Sequence, residues 1–187
     1  MKRDVNSNGY IFLYSTILVV IVAVLLTAAA LWLQPYQQRN KENEKRMMIL
    51  SAAGAANDDE ITFVDGELPI YLVNDSISVI PMQGKGLWGP IWGYLAVAPD
   101  GKTIIGVNFD HKSETPGLGG EITTEKFQSQ FRGKQITQDG RYIPVKFDAI
   151  TGATKTSNGV KEMIDNTLEK YSAYLEKLIG AQKNEII

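Results

Sequence analysis

Hydrophobic and polar positions divide the chain into three stretches. The first carries no charge from Ile11 to Leu33, a run of 23 residues. As a helix it is roughly 35 Å long at about 1.5 Å per residue, more than the roughly 30 Å of a hydrocarbon core. Tyr10 and Tyr14 at one end, and Trp32 and Tyr36 at the other, suit interfacial belts, and Pro35 follows the apolar run. A buried soluble helix is seldom apolar on every side over this length. Ala28 and Ala30 flanking Ala29 also suit a cleaved signal peptide, but the apolar run is longer than a usual signal core. The pattern predicts a polar tail over residues 1–10 and an uncleaved transmembrane helix over 11–33.

The second stretch, residues 34–56, is charged at Arg39, Lys41, Lys45 and Arg46 and turns apolar from Met47 to Leu50. It reads as a helical stalk ending near Gly54. The solvated run Asn57-Asp58-Asp59-Glu60 opens a globular domain, 57–187. Within it, Leu68–Val73 and Ile77–Pro81 are short apolar runs that read as strands, and Gly84–Pro90 is a glycine-rich loop. Residues 91–98 and 103–110 predict a hairpin, with Pro99-Asp100-Gly101 as its turn and Ile105, Val107 and Phe109 on one face. The loop Ser113–Gly120 contains three glycines and a proline. Phe127 and Phe131, four apart, predict a helix over 121–131. Tyr142–Phe147 reads as a strand that Pro144 confines to an edge. Val160, Met163, Ile164, Leu168, Tyr171, Leu175 and Leu178 recur at helical spacing. That helix has Ser157 or Asn158 as its cap and Gly180 as its end. The fold class expected is α+β, antiparallel strands with flanking helices behind one transmembrane helix.

Charge and composition narrow the function. Nineteen Lys and Arg against 21 Asp and Glu leave a net charge of −2, which gives no reason to expect nucleic-acid binding. The absence of cysteine excludes disulfides, Cys-ligated zinc, iron–sulfur clusters, lipoprotein acylation and thiol catalysis. The one histidine, His111, builds no multi-histidine metal site and reads as a partly exposed loop residue. Gly-x-Ser-x-Gly is missing and His111 is the only candidate base of its type, so a hydrolase is disfavoured.

The candidate chemistry lies in Asp148-Ala149-Ile150-Thr151-Gly152-Ala153-Thr154-Lys155-Thr156-Ser157, between a strand and the last helix. Hydroxyl residues ahead of a helix ordinarily serve as caps and turns. Such a turn also exposes N–H groups and short oxygens at a positive helix end, which suits a phosphate.

Asp148 to Thr154 resembles a flavinylation signature: Asp, two residues, Ser or Thr, then Gly-Ala-Thr. Gly86-Leu87-Trp88-Gly89 ahead of the hairpin and Glu114-Thr115-Pro116-Gly117-Leu118-Gly119 behind it complete the pattern. Together with the single N-terminal span they resemble the C-subunit of the sodium-translocating NADH:quinone oxidoreductase. Its FMN-binding domain is shared with the G-subunit of the ferredoxin:NAD electron-transport complex; the Gly-Leu-Trp segment favours the C-subunit, with the equivalent FMN subunit of the ferredoxin:NAD complex as the alternative of the same class. The resemblance implies that Thr154 carries FMN as a phosphoester, attached by a separate flavin transferase that uses FAD. The flavin then passes single electrons between other subunits, and the chain has no catalytic residues of its own. Lys155, Thr151 and Thr156 are candidates to balance or bond the phosphate beside Gly152 and Ala153, although relatives carry an apolar residue at Lys155. Trp88 and Leu118 are candidates to pack on the ring, and backbone around Glu114, Thr115 and Gly117 to reach its polar edge. Trp88 also suits a core, and the loop glycines also suit turns. The expected location is the bacterial cytoplasmic membrane, single-pass, with the domain outside. The charge count opposes that orientation, since two basic residues precede the span and four follow it. A cofactor-free anchored binding domain is the alternative of a different class.

Overall fold

The computed structural model describes residues 8–138 and 141–185. The first seven residues of the expected tail lie outside the described residues. The first element is one helix, α1 (Asn8–Ala53), that runs through Pro35. Pro35 removes one backbone donor without ending it. An apolar stretch of α1, with mean hydropathy 2.8, is long enough to cross a membrane and has none of its surface buried. The helix ends where expected: Gly54 is left-handed (φ +64°), and the Gly54 and Ala55 amides bond back to Ser51 and Leu50 carbonyls.

The chain divides into two units, Met1–Glu44 and Lys45–Ile187. The second contains a five-stranded antiparallel meander, β1 (Ile61–Val64), β2 (Ile70–Val73), β3 (Ile77–Lys85), β4 (Pro90–Val97) and β5 (Ile104–His111), whose spatial order is the chain order. β1 went unread in the sequence because Phe63 and Val64 are exposed, so no buried face marks it. β3 runs through Gly84 and Lys85 into what the sequence suggested was loop. The β4–β5 hairpin forms as expected, and Asp100 closes its turn by accepting the Lys102 and Thr103 amides at 2.8 and 2.9 Å.

One detail of that hairpin differs. The pairing shifts between Ala96 and Val97, leaving Ile105 as the extra residue of a bulge. Past the bulge the faces exchange. Ile104 therefore joins Val107 and Phe109 in the main core, while Ile105 packs on the opposite face.

Both sheet faces are covered within the second unit. On one, Ile49, Leu50, Ala52 and Ala53 from the end of α1 meet Val73, Val79 and Ala96. Gly106 permits this approach: a Cβ there would stand 2.6 Å from the Ala52 carbonyl oxygen. Arg46 pins the following loop by donating to the Asn57 and Asp59 carbonyls at 3.3 and 2.7 Å. The other face holds the larger core, built with α3 (Thr154–Lys170) and α4 (Ser172–Glu185).

The expected helix over 121–131 is instead three short pieces, 3-10 turns at Gly119–Thr123 and Ser129–Phe131 around α2 (Glu125–Gln128). Thr124 is extended, and the Thr123 and Thr124 hydroxyls donate to local carbonyls in place of helix continuation. The aromatic spacing survives. Phe131 lies 5.3 Å from Phe109 and 4.9 Å from Phe147, ring centre to ring centre. The expected strand over 142–147 shrinks to Arg141–Tyr142, which pairs with Thr137–Gln138. The last helix breaks at Tyr171, well before Gly180. Tyr171 is buried and donates its hydroxyl to the Pro69 carbonyl at 2.8 Å.

Phe131 is fully buried, so Phe131→Ala is expected to lower stability by about 3–5 kcal/mol. Phe63 is 51% exposed and pairs only with the Tyr71 ring at 5.1 Å among the aromatic contacts, so its truncation to Ala is expected to cost about 1 kcal/mol. Denaturant unfolding of the detergent-solubilised chain measures both.

Candidate functional site

Three loops meet at the start of α3. The first is the tip of the β3–β4 hairpin, Gly86-Leu87-Trp88-Gly89, closed by the Gly86 amide donating to the Gly89 carbonyl at 2.8 Å. Its side chains face solvent: Trp88 is 67% exposed and Leu87 43%. The second follows β5. There the Leu118 and Gly120 amides both donate to the Thr115 carbonyl, at 3.1 and 3.0 Å, and Gly117 takes a left-handed φ of +74°. The third is the hydroxyl-rich turn.

That turn is stitched from inside by Ser157. Its hydroxyl accepts the Ile150 amide at 3.0 Å and donates to the Ala153 carbonyl at 3.1 Å. With its side chain so engaged, Ser157 does not cap the helix, and α3 starts three residues earlier, at Thr154. Ala153 occupies the N-cap position without a side-chain hydrogen bond to the first turn. Gly152, at φ +79°, reverses the chain just before it. The start of α3 is thus an uncapped helix end whose leading amides lack intrahelical acceptors.

Glu114 joins the three loops. It is 4% exposed. One carboxylate oxygen accepts the Trp88 amide at 2.8 Å and the other accepts the Thr156 hydroxyl at 2.5 Å. The Gly89 amide lies near enough to favour the charged form as well. Burial opposes the charge, but the Thr156, Trp88 and Gly89 donors, with His111 nearby, outweigh it and hold the carboxyl below its ordinary range. The Glu114 amide donates to His111 Nδ1 at 3.2 Å, so His111 helps fix the loop as well as terminating β5. Space is equally restricted. A Cβ at Gly86 or Gly119 would fall inside the Glu114 carboxylate. At Gly159 it would strike the Lys85 carbonyl, so α3 lies directly against the end of β3.

The candidate residues therefore divide by position. Glu114, Ala153 and Thr156 are buried, whereas Trp88, Thr115, Gly117, Leu118, Thr151, Gly152, Thr154 and Lys155 are exposed. Leu118 reaches across to the turn: its Cδ2 stands 3.0 Å from where a Gly152 Cβ would be. Beside the turn opens a cavity of about 560 Å³ walled by Gly117, Glu121, Phe127, Gln130, Ile150 and Thr151. Sequence reasoning missed this cavity, the role of Ser157 and the His111 contact. Only Gly86 and Gly119 carried a signal, as glycines inside the two loop motifs. The geometry suits an anion at the start of α3 with a flat apolar group beside it.

The family model of the FMN-binding domain matches residues 86–169, which contain all three loops. The crystal structure of the Na(+)-translocating NADH-quinone reductase C-subunit from Parabacteroides distasonis is 30% identical, with a TM-score of 0.66, covering 76% of this chain and 96% of that one. The chain belongs to this C-subunit family. The C-subunit of Pasteurella multocida is 42% identical over 108 residues, 49% of this chain and 42% of that protein. The Vibrio alginolyticus C-subunit is 33% identical over 134 residues, 62% of this chain and 52% of that protein. The chain thus spans about half the length of these two relatives. The fold recurs in Shewanella oneidensis NqrC at a TM-score of 0.61 and 24% identity. Within that domain Thr154 is exposed at an uncapped helix start, and Trp88 and Leu118 are exposed on the two glycine-rich loops.

The Glu114 clamp has two measurable consequences. Gly119→Ala, which puts a methyl into the clamp, is expected to cost about 1–3 kcal/mol. Because Glu114 titrates lower when folded than its ordinary 4.5, its contribution is complete above that value and is lost as pH falls through the folded one. Glu114→Gln should therefore flatten the acid limb of stability. Denaturation midpoints recorded from about pH 7 to about pH 3 test both expectations.

Proposed function

We propose that this chain is a membrane-anchored electron carrier of a sodium-translocating NADH:quinone oxidoreductase, with FMN held as a phosphoester on Thr154. The observation that carries this reading is the exposed Thr154 hydroxyl at the first position of an uncapped 17-residue helix. A phosphate esterified there keeps a negative charge and meets the N–H groups and positive end of the dipole. FMN, when bound, supplies one-electron chemistry at its ring. Trp88 and Leu118 offer apolar surface for that ring, and the Thr115–Leu118 backbone offers polar groups for its edge. Lys155 and Thr151, both exposed, stand near enough in sequence for the lysine to balance the phosphate and the threonine to bond it. Glu114 and Thr156 act from beneath the surface, through the loop positions they fix.

The partners in this reading are the other subunits of the complex, a flavin transferase during maturation, and the bilayer crossed by α1. The domain lies on the extracytoplasmic side of the cytoplasmic membrane, where the family resemblance outweighs the basic residues that follow the span.

Co-expression with the transferase should give a band on a denaturing gel that fluoresces under ultraviolet light, and Thr154→Ala should abolish it. Fluorescence that persists in Thr154→Ala, or its absence from the parental chain, overturns the assignment. Protease added to intact spheroplasts should digest the domain, and protection would reverse its orientation.

A further inference from the structure

We propose that Glu114 is a positioning residue for flavin transfer: through Thr156 it holds the first turn of α3 so that Thr154 is presented outward to the transferase. The inference rests on the reading of Thr154 as the FMN carrier.

Glu114 is an expensive group to bury. A buried carboxylate must be compensated, yet among the described residues no Lys or Arg pairs with Glu114. Its compensation comes from donors on two other segments, the Trp88 amide and the Thr156 hydroxyl. Apolar packing would fill the same space at lower cost. What the carboxylate adds is direction, because each donor must point at it.

Helix geometry converts that direction into presentation. Residues two apart on an α-helix lie about 200° apart around its axis. Thr156 is 1% exposed and drawn inward by Glu114, so Thr154 is turned to the opposite, outer side. Ser157 fixes the loop leading into the helix, but its partners, Ile150 and Ala153, belong to that same turn. The Glu114–Thr156 bond ties the turn to the two glycine loops and sets its rotation against the rest of the domain. Glycine at 86 and 119 makes room for the carboxylate, which occupies the space a Cβ would take at either position.

The step that depends on this is a group transfer. The Thr154 hydroxyl oxygen attacks the flavin-side phosphorus of FAD. An O–P bond forms as the bridging P–O bond breaks, AMP leaves with that electron pair, and the hydroxyl proton passes to base or solvent. No oxidant or reductant is involved. An acceptor turned off line slows such a step by one to two orders of magnitude, on the scale of a displacement of about 1 Å.

The test uses the full chain in detergent, purified without flavin, with the transferase and FAD, and follows the FMN mass increment over time. Thr156→Val is expected to lower kcat about tenfold or more while KM for the acceptor chain stays within about twofold, and Thr156→Ser is expected to restore kcat to within about threefold. Transfer to Thr156→Val at the parental rate, a defect confined to KM, or equal slowing in Thr156→Ser would each overturn the proposal. Should Thr156→Val fail to fold, Glu114→Gln decides. It keeps the side-chain shape and an acceptor for the Trp88 amide but replaces the charge-assisted bond from Thr156 with a weaker neutral one that the hydroxyl accepts, so it should transfer more slowly at an unchanged near-ultraviolet spectrum. Parental kinetics in a folded Glu114→Gln chain would again overturn it. A parental chain that gains no mass would instead sink the FMN reading itself.

Discussion

The site depends on a single buried anion that, among the described residues, has no lysine or arginine partner. Glu114 is enclosed by the domain it helps to organise, and its two hydrogen-bond donors come from a hairpin tip and a helix start that are distant in sequence. A carboxylate in such a place is tolerated only when its lone pairs are filled. The requirement runs both ways: ionised Glu114 needs the loops in place, and the loops acquire their relative position from it. Glycine at 86 and 119 is the steric counterpart of this constraint, since any side chain there would occupy the carboxylate's space.

The rest of the domain is arranged to deliver the three loops to one end of the sheet. The meander places the β3–β4 tip and the end of β5 side by side, because the Lys112 amide bonds the Pro90 carbonyl across them. Gly84 and Gly159 then let α3 lie on β3 closely enough to bring its start to the same edge. Tyr171 breaks the helix where its hydroxyl finds the Pro69 carbonyl, which lets α4 turn onto the remaining core. On the far face, the last turns of α1 complete the packing through small residues, with Gly106 and Ala52 in near contact.

Sequence periodicity carried much of this fold. The uncharged run, the Gly54 stop, the hairpin about Asp100 and the apolar spacing of α3 each express a local physical preference, so each is readable locally. The bulge at Ile105, the divided helix around Thr124 and the break at Tyr171 are not. They arise where a hydroxyl, a register shift or a distant carbonyl outcompetes local propensity. The site was legible in a different way. The residues of its three loops stand out by motif resemblance, and composition alone would have left them as turns. Which of them face inward could not be read: Glu114 and Trp88 sit in similar glycine-rich loops, yet one is enclosed and the other open to solvent. That difference comes from the meeting of the loops, which no single stretch encodes.

The spread of the clamp along the chain has a consequence for biosynthesis. Every strand of the meander is made once residue 111 has left the ribosome, and its pairings are between neighbours in sequence. Thr156 emerges 45 positions later. In order of synthesis, the strands and Glu114 therefore precede both the helices that cover the larger core and the hydroxyl that Glu114 accepts. The first turn of α3 is thus the last part of the clamp to be synthesised.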